Sequence, residues 1–315
     1  MIPYPVKLLG RLQGGLRHLR EGTLPERLRS ERQRRLQRRR SARWDALCGT
    51  RQYLDASIQP GIRMRLPLDS MLGRLIYCDD FEADERQFFN TFLRPGDVFV
   101  DAGANIGLFS LIAAHRVGPG GHVHAFEPCA QTFERLQANV ALNGFANVSC
   151  HPLALSSENA SLEMRVSEEG FDAWNSLAQP TAGSRVDTET VACVTWDDFA
   201  QKHDLVGRVT FMKIDVEGWE THLLSGARAT LSREDAPTLQ VEFTEEATRS
   251  AGSSCERLYQ ALEEMGYRMF VYDARSNRLV PDPLRESYPY LNLVAAKRPE
   301  MVAARLNGHK EQGAR

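Results

Sequence analysis

Short apolar runs alternate with segments of helical spacing through the middle of this 315-residue chain. Between residues 98 and 243 the apolar runs read VFVDAG, HVHAFEP, VSCHPLAL, VTFMKIDVEG and PTLQVEF. Amphipathic segments such as IGLFSLIAAHRV and QTFERLQANVALNG separate them. This alternation predicts an α/β fold with a parallel sheet and right-handed crossovers. Two later runs, YRMFVYD and YLNLVAAK, have no helix between them, so the second should run antiparallel.

The flanking segments divide the chain into three predicted parts. Residues 1–59 form an Arg-rich helical arm, with nine Arg and two Glu between Glu26 and Arg43. Residues 60–298 form the α/β domain. In this domain IRMRLPL and RLIYC read as a hairpin, FEADERQFFNTFL reads as a helix, and ASLEMRVSEEGFDAWNSLAQ reads as a hairpin-like insertion. Residues 299–315 form a polar, frayed tail.

The composition is typical of a soluble globular protein, with 42% apolar residues, 25% charged residues and a net charge of −2. The six cysteines lie far apart without a C-x-x-C pair, which predicts free thiols, a reducing compartment and a cytoplasmic location. The sequence shows no metal-ligand spacing, so no metal is predicted. No apolar run reaches the ~18–20 residues of a membrane span, and the N-terminus lacks the apolar region of a signal peptide.

The turn after the first core strand carries the strongest ligand-binding signal. Asp101 ends that strand, Gly103 and Gly107 bracket GANIG, and Glu127 ends the next strand, where a carboxylate can accept both hydroxyls of a ribose. Asn105 stands where the dinucleotide fingerprint has its second glycine, and no basic residue lies in the turn. These features favour a neutral or cationic adenosine ligand, such as S-adenosylmethionine, over a pyrophosphate. The alternative is a turn whose glycines serve packing only.

A second group of charged residues follows the strand FMKID. Phe211, Lys213 and Asp215 share one side of a strand of period two, and Glu217 follows near its carboxyl end. Charged groups clustered at a strand end are unfavourable unless they are paired or used. We expect Asp215 to take part in the site. For Lys213, an ion pair with Asp215 or Glu217 that holds the helix start is an equal alternative.

Taken together, these segments resemble one family. PGDVFVDAGANIG, HAFEP, NVSCHPLALS, VTWDDFAQ and MKIDVEGWETHLLSGA are similar in order and spacing to the FkbM family of S-adenosylmethionine-dependent methyltransferases. The resemblance implies a Rossmann-like, seven-stranded class I methyltransferase sheet, here with a helical Arg-rich N-terminal extension. It also implies S-adenosylmethionine as the cofactor and O-methylation of hydroxyls on sugars, glycans or natural products as the activity.

The resemblance implies roles for single residues as well. Glu127 would take the ribose hydroxyls, and Asp215 would lie near the sulfonium and the acceptor. The remaining implied cofactor contacts are Asp101, Gly103, Asn105 and Gly107 on the methionine and ribose side, and Leu153, Ala154, Leu155 and Ser156 beside the adenine.

A hydroxyl acceptor is a weak nucleophile, so a general base should raise the rate of its methylation. The candidates at the strand ends are Asp215, Glu217 and His151, and a structural role for His151 is an equal alternative. Glu82 and Glu85, at the start of a predicted helix, are candidates for a lid over the cofactor or for a solvated helix start.

Two further residues are candidates for contacts with the acceptor, and a third is assigned a structural role. Trp174 and Asn175 lie in the predicted insertion, where an aromatic face suits a sugar ring, and a buried structural Trp is the alternative. His222 lies one turn into a helix and is expected to be structural. The acceptor itself is expected to be a small molecule or a glycan.

Two other classes of function compete with this interpretation. The first is a nucleic-acid methyltransferase that binds phosphates through the Arg-rich arm, although DVEG stands where base methylation usually has N/D-P-P-Y/F. The second is a non-catalytic protein that binds S-adenosylmethionine, which would not need the charged strand end. The arm is also suited to contact another protein or an anionic surface.

Overall fold

The structure is a computed structural model that describes residues 24–167 and 186–308. The strands are β1 (Tyr53–Gln59), β2 (Ile62–Pro67), β3 (Val98–Ala102), β4 (His122–Phe126), β5 (Val148–His151), β6 (Ala154–Leu155), β7 (Ala160–Ser167), β8 (Val186–Val194), β9 (Phe211–Ile214), β10 (Thr238–Phe243), β11 (Arg268–Asp273), β12 (Arg278–Pro281) and β13 (Leu291–Ala296). The helices are α1 (Leu24–Leu47), α2 (Met71–Cys78), α3 (Ala83–Phe92), α4 (Leu108–Val117), α5 (Ala130–Asn143), α6 (Trp196–Lys202), α7 (Glu220–Ser225), α8 (Arg228–Leu231), α9 (Glu245–Ser250), α10 (Cys255–Glu264) and α11 (Pro299–Asn307).

The large sheet confirms the predicted α/β class. Its spatial order is β12-β11-β13-β10-β9-β3-β4-β5. Strands β5, β4, β3, β9 and β10 are parallel, and β13 is antiparallel to both β10 and β11. The seven-stranded, Rossmann-like arrangement with one reversed strand is therefore present, and β12 adds an eighth strand at the edge beside β11.

The order of the strands reverses at β3. The chain runs outward through β4 and β5 and then returns to place β9 on the other side of β3. Ala102, at the end of β3, lies beside Phe126 of β4 and Ile214 of β9. The residues that follow these three strands emerge at one edge of the sheet, which is where ligands bind in such folds.

Apolar helices cover both faces of the sheet and fix its position. On one face Phe88 and Phe89 of α3 pack against Phe99 and Phe211 of the sheet, with ring centroids 5.0–5.6 Å apart. On the other face α6, α7 and α10 cover β9 and β10. Helix α6 begins with a side-chain cap, because the Thr195 side chain accepts a hydrogen bond from the backbone N–H of Asp198.

The N-terminal helix ends twelve residues before the predicted end of the arm at residue 59. Helix α1 ends at Leu47, and β1 then pairs antiparallel with β2, so Pro60 and Gly61 turn a hairpin and do not end the arm. The end of α1 is also part of the core, since Trp44 is 2% exposed and packs against Tyr77 of α2, with ring centroids 5.7 Å apart.

Two other segments differ from the prediction. RLIYC is not the second strand of a hairpin but lies in α2, where the Ser70 side chain caps the helix by accepting from the Gly73 N–H at 3.0 Å. The tail, which was predicted to be frayed, is helical from Pro299 to Asn307. Helix α11 places Val302 and Leu306, four residues apart, against the core, each 1% exposed. Both segments are helical because one face of each buries apolar side chains.

The insertion after β6 is confirmed in part, because β7 and β8 pair antiparallel in a small sheet ordered β6-β8-β7. The six cysteines are free thiols, as predicted, while the cytoplasmic location stays a prediction. Within residues 24–167 and 186–308, no helix is both long enough and apolar enough to cross a membrane.

Candidate active site

A cavity of about 200 Å³ opens at the edge of the sheet where β3, β4 and β9 end. The turn after β3 lines one side of it, and the residues after β9 line the opposite side. Helix α2 and the loop before α3 close it from above with Leu72, Ile76 and Phe81. The strand-end position that the sequence predicted for a ligand site is therefore a real cavity.

The glycine turn is packed directly against the end of β9. Gly103 has φ of +84°, and a Cβ at this position would lie 1.8 Å from the carbonyl oxygen of Asp215. Asn105 also has positive φ (49°), and its side-chain oxygen accepts from the next backbone N–H at 2.7 Å. Both residues line the cavity. Only glycine fits at position 103, because the turn and the strand end touch through their backbones.

Glu127 holds the turn and faces the cavity. One carboxylate oxygen accepts from the Asn105 N–H and the other from the Cys129 N–H, each at 3.0 Å. The side chain is 6% exposed, and burial raises its pKa to about 7. Carboxylate oxygens have further lone pairs, so both remain available to two ribose hydroxyls.

Apolar groups line the cavity next to Glu127. Leu153, Ala154 and Leu155, which follow β5, form this part of the wall together with Phe126. Such a surface suits an adenine ring. Ser156 lies outside the lining of the described cavity. It is 1% exposed and accepts a hydrogen bond at 3.0 Å from the indole N–H of Trp219, whose side chain it positions.

The opposite wall is dominated by Lys213 and Asp215. The Lys213 Nζ atom lies 2.5 Å from a carboxylate oxygen of Asp215 and 4.9 Å from the centroid of the Phe109 ring. Burial by itself lowers the pKa of Lys213, but the carboxylates of Asp215, Glu82 and Asp101 outweigh it and raise the pKa above its usual value. Lys213 is therefore a fixed cation and not a proton acceptor. The ion pair that the sequence left open is formed.

The carboxylate of Glu82 lies at the same cavity and has one oxygen without a hydrogen-bond donor among the described residues. Its Oε1 atom accepts from the Tyr290 hydroxyl at 2.5 Å, whereas its Oε2 atom is buried and no described group donates to it. Burial raises the pKa of Glu82 to about 7, and nearby Lys213 limits the increase. Glu82 has φ of +44°, an unfavourable backbone conformation for a residue with a side chain. Both Glu82 and Tyr290 line the cavity.

Three carboxylates meet at the floor of the cavity, which corrects the prediction that the chain offers no metal-ligand cluster. Oxygens of Asp215, Glu217 and Glu242 lie within 4.8 Å of one another. Glu242, in β10, is 3% exposed, and burial and then the charge of Asp215 raise its pKa well above the usual value. Its Oε1 atom accepts from the Thr244 hydroxyl, and its Oε2 atom has no donor among the described residues.

Several predicted site residues lie outside the described lining of the cavity. Asp101 is 1% exposed behind the turn and accepts from the Ser110 hydroxyl at 2.6 Å. Gly107 has φ of +95°, and a Cβ there would lie 2.7 Å from a Leu136 methyl carbon, so this glycine serves packing.

His151 is not brought into the cavity either. Its ring lies 3.2 Å from His124 and stacks on Phe126 with centroids 4.7 Å apart. Phe199 of α6 packs edge-on against it. Burial lowers the pKa of His151 to about 4. This environment supports the structural alternative and removes His151 from the candidates for the general base.

Comparison with known proteins decides which family this site belongs to. The model of the family described as the methyltransferase FkbM domain matches residues 101–269, which is more than half of the chain. The chain belongs to the FkbM methyltransferase family. The matched region begins at the end of β3 and contains the glycine turn, Glu127, Asp215 and Glu242.

Two relatives are similar to this chain over shorter regions. Methyltransferase 1 of Beauveria bassiana (strain ARSEF 2860) is 32% identical over 148 residues, a match that spans 42% of this chain and 59% of that protein. The 31-O-demethyl-FK506 methyltransferase FkbM of Streptomyces tacrolimicus is 60% identical over 47 residues, 15% of this chain and 18% of that protein. The chain thus matches less than two thirds of the length of either relative.

Solved structures with similar chain traces include other methyltransferases. The FkbM methyltransferase of Methylobacillus flagellatus KT is 15% identical and covers 71% of this chain and 54% of its own, with a TM-score of 0.36. TYW2 of M. jannaschii, solved in complex with AdoMet, is 15% identical and covers 78% of this chain and 85% of its own, with a TM-score of 0.40.

The cofactor of the FkbM family is S-adenosylmethionine, and the donor set of the cavity fits it. A buried carboxylate at Glu127 matches ribose hydroxyls, and the apolar wall at Leu155 matches an adenine. Of the described residues that line the cavity, Lys213 alone is basic, against the carboxylates of Asp80, Glu82, Glu127, Asp215, Glu217 and Glu242. Such a site favours a cationic ligand over a phosphate.

Some residues of this FkbM site were missed by sequence reasoning. Glu242 lies inside the apolar run PTLQVEF, and a charged residue near the end of a buried strand is the same signal that identified Asp215. Tyr290 lies in the loop before β13, and no local pattern connects it to Glu82. The predicted acceptor contacts Trp174 and Asn175 lie outside the described residues. His222 is structural as expected, since its ring stacks on Trp219 with centroids 3.8 Å apart.

Proposed function

We propose that this protein methylates a hydroxyl oxygen of a sugar, a glycan or another natural product, with S-adenosylmethionine as the methyl donor. The observation that carries the proposal is the buried Oε2 atom of Glu82. This atom has no hydrogen-bond donor among the described residues, and Glu82 lines the cavity that also contains the glycine turn and Glu127. The name of the Streptomyces tacrolimicus relative, which describes an O-demethylated substrate, supports an oxygen acceptor for this chain too.

Different residues of the chain contact different parts of the cofactor in this proposal. Glu127 accepts the ribose hydroxyls, Gly103 and Asn105 shape the turn beside the ribose, and Leu155 borders the adenine. Asp215, held by Lys213, faces the methionine end of the cofactor and the acceptor. S-adenosylmethionine supplies an electrophilic methyl group when bound, so the protein needs only to position an acceptor oxygen about 3–3.5 Å from it and exclude water.

Glu82 is the group that takes the proton of the acceptor hydroxyl in this proposal. Its Oε2 atom receives the proton, while the Tyr290 hydroxyl keeps the side chain oriented through Oε1. A pKa of about 7 suits this role, because a base is most effective when its pKa lies near the working pH. Asp215 is less suited, since one of its oxygens is already paired with Lys213. We therefore place Asp215 in a positioning role, beside Glu217.

Cofactor affinity should depend on pH through Glu127. Its pKa of about 7 means that the carboxylate is mostly ionised at pH 8 and mostly protonated at pH 6. Ribose hydroxyls donate to the ionised form, so we expect affinity for S-adenosylhomocysteine to fall about tenfold from pH 8 to pH 6. Glu127→Gln should weaken binding at pH 8 by about 1.5–3 kcal/mol and remove the dependence on pH. Calorimetry at both pH values measures this.

The exposed Glu134, on α5, provides a matched control. Glu134→Gln makes the same change of charge outside the cavity and should keep both the affinity and its pH dependence. If Glu127→Gln binds at pH 8 as tightly as the wild type, Glu127 does not contact the ribose.

The chemical class of the acceptor can be tested directly. The protein is incubated with deuteromethyl-labelled S-adenosylmethionine and, in separate reactions, with hydroxylated sugars, a macrolide alcohol and RNA, and the products are analysed by mass spectrometry. We expect label on an acceptor oxygen, as a methyl ether. Label on RNA bases would favour the nucleic-acid alternative, and cofactor binding without turnover on any acceptor would favour the non-catalytic one.

The N-terminal arm is proposed to lie outside this chemistry. Its described arginines Arg34, Arg35, Arg38 and Arg39 are exposed along α1. We propose that they contact another protein or an anionic surface, and that the methyltransferase domain begins near the end of α1, where Trp44 joins the core.

A further inference from the structure

We infer that Asp215, Glu217 and Glu242 form a binding site for a hard divalent cation of the Mg²⁺, Mn²⁺ or Ca²⁺ type. One oxygen from each side chain lies within 4.8 Å of the other two. Opposite ligands of Mg²⁺ lie about 4.2 Å apart and those of Ca²⁺ about 4.6–5.2 Å apart, given their usual metal–oxygen distances. The three oxygens can therefore share one cation with little movement. Ligands that are all carboxylates select hard cations over softer metals.

The buried oxygen of Glu242 provides independent evidence for a ligand. Glu242 is 3% exposed, lies within β10, and its Oε2 atom has no hydrogen-bond donor among the described residues. A buried carboxylate oxygen without a partner is unfavourable unless an ion or a hydrogen-bond donor satisfies it. Glu242 lines the cavity together with Asp215 and Glu217, and one of its oxygens belongs to the three-oxygen cluster.

The local charge also matches a divalent cation. When all three are ionised, as they are with a bound cation, the carboxylates bring three negative charges, and Lys213 neutralises one of them through Asp215. Lys213 is the only basic side chain among the described residues that line the cavity. Two negative charges therefore remain on the three ligands. The backbone around Glu217 is held in one conformation. Glu217 has φ of +51°, and the Glu220 carboxylate accepts hydrogen bonds from the N–H groups of Val216 and Gly218 on either side of it.

The position of the cation site limits which acceptors can bind, and this inference rests on the proposed function. Three protein ligands leave further coordination positions open on such a cation. These positions face the cavity in which the acceptor hydroxyl is proposed to bind. An acceptor with two adjacent oxygens, such as a vicinal diol of a sugar, fills two of them at once and is held in a single orientation.

Mn²⁺ is the probe for the test, because its free form is quantified by electron paramagnetic resonance. The full chain is titrated with Mn²⁺, and bound cofactor is followed separately by calorimetry with S-adenosylhomocysteine. We expect one Mn²⁺ site per chain, from which Mg²⁺ displaces Mn²⁺. Glu242→Gln should weaken Mn²⁺ binding at least about tenfold, and circular dichroism checks that the variant is folded.

Two further variants complete the test. Glu217→Gln, at a partly exposed position, should also weaken Mn²⁺ binding and serves if Glu242→Gln does not fold. The exposed Glu246, four residues after Glu242, is the matched control, and Glu246→Gln should bind Mn²⁺ like the wild type. The inference is overturned if the folded wild type binds no Mn²⁺, or if both cluster variants bind it unchanged.

The cation site and the proposed function can fail separately. A protein that binds the cofactor and transfers methyl groups but has no Mn²⁺ site would contradict the cation site alone. A protein that has the Mn²⁺ site but methylates no hydroxyl would contradict the proposed function alone.

Discussion

Gly103→Ala should abolish cofactor binding. A Cβ at this position would lie 1.8 Å from the carbonyl oxygen of Asp215, and backbone atoms cannot rotate away as a side chain does. The turn would have to separate from the end of β9, and alanine is also unfavourable at φ of +84° by about 1–2 kcal/mol. Adding about 1–3 kcal/mol for overpacking, we expect the free energy of unfolding to fall by about 2–5 kcal/mol. Urea unfolding and calorimetry with S-adenosylhomocysteine measure the two effects.

Gly144→Ala separates the steric effect from the backbone effect. Gly144 ends α5 with φ of +64°, and a Cβ there meets nothing within 4 Å. This variant should lose only about 1–2 kcal/mol of stability and should bind the cofactor normally. Wild-type affinity in Gly103→Ala would mean that the turn and the strand end need not touch for binding.

Glu82→Gln should lower kcat by about 10²–10⁴-fold if Glu82 accepts the acceptor proton. Glutamine keeps the shape and the contact with Tyr290 but is not a base. The affinity for the cofactor should change little, because Glu127 and the turn are intact. At saturating cofactor, kcat of the wild type should rise with pH through about 7, since the ionised form of Glu82 is the active one.

Two comparisons test this assignment. Asp84→Asn, at an exposed position in the first turn of α3, should keep wild-type kcat. Asp215→Asn should lower kcat too, but should leave the rise of kcat with pH in place, because Asp215 positions the reactants and Glu82 titrates. Near-normal turnover of Glu82→Gln at saturating cofactor would exclude Glu82 as the base and return that role to Asp215 or Glu217.

The central sheet could be predicted because its signals are periodic and repeated. Each buried strand is a short apolar run, and each crossover helix has apolar residues at helical spacing, so the two patterns confirm one another along the chain. RLIYC lacked this support. A short apolar run reads equally as a strand or as a buried helix turn, and the Ser70 cap decided the outcome. The tail helix was missed because its apolar residues, Val302 and Leu306, are few and widely spaced.

The site could be predicted only to within a residue or two at each strand end. Glu127 and Asp215 lie just beyond the last paired residues of β4 and β9 and face the cavity. Asp101 and His151 are still within their strands, where Asp101 pairs with Lys213 and His151 with Phe126, and their side chains point into the protein. One position along a strand changes the face that a side chain occupies, and the sequence does not resolve that difference.

Residues that meet only through the tertiary fold could not be predicted. Glu82 precedes α3 and Tyr290 precedes β13, more than 200 residues later, yet they share a hydrogen bond at the cavity. Glu242 lies in β10 and Asp215 directly follows the adjacent strand β9, and two helices separate them along the chain. The acidic wall of the cavity is therefore a property of the strand order, which the local pattern of either segment does not contain.

A crystal structure with S-adenosylhomocysteine tests most directly whether the cavity holds the cofactor and presents its methyl to the acidic wall. We predict that both ribose hydroxyls lie within hydrogen-bonding distance of Glu127 and that the adenine packs on Leu155. The sulfur should face the space between Asp215 and Glu82, so that the missing methyl group points at the Glu82 Oε2 atom across room for an acceptor oxygen. A ligand whose ribose lies away from Glu127, or whose sulfur points away from Glu82, would contradict the account.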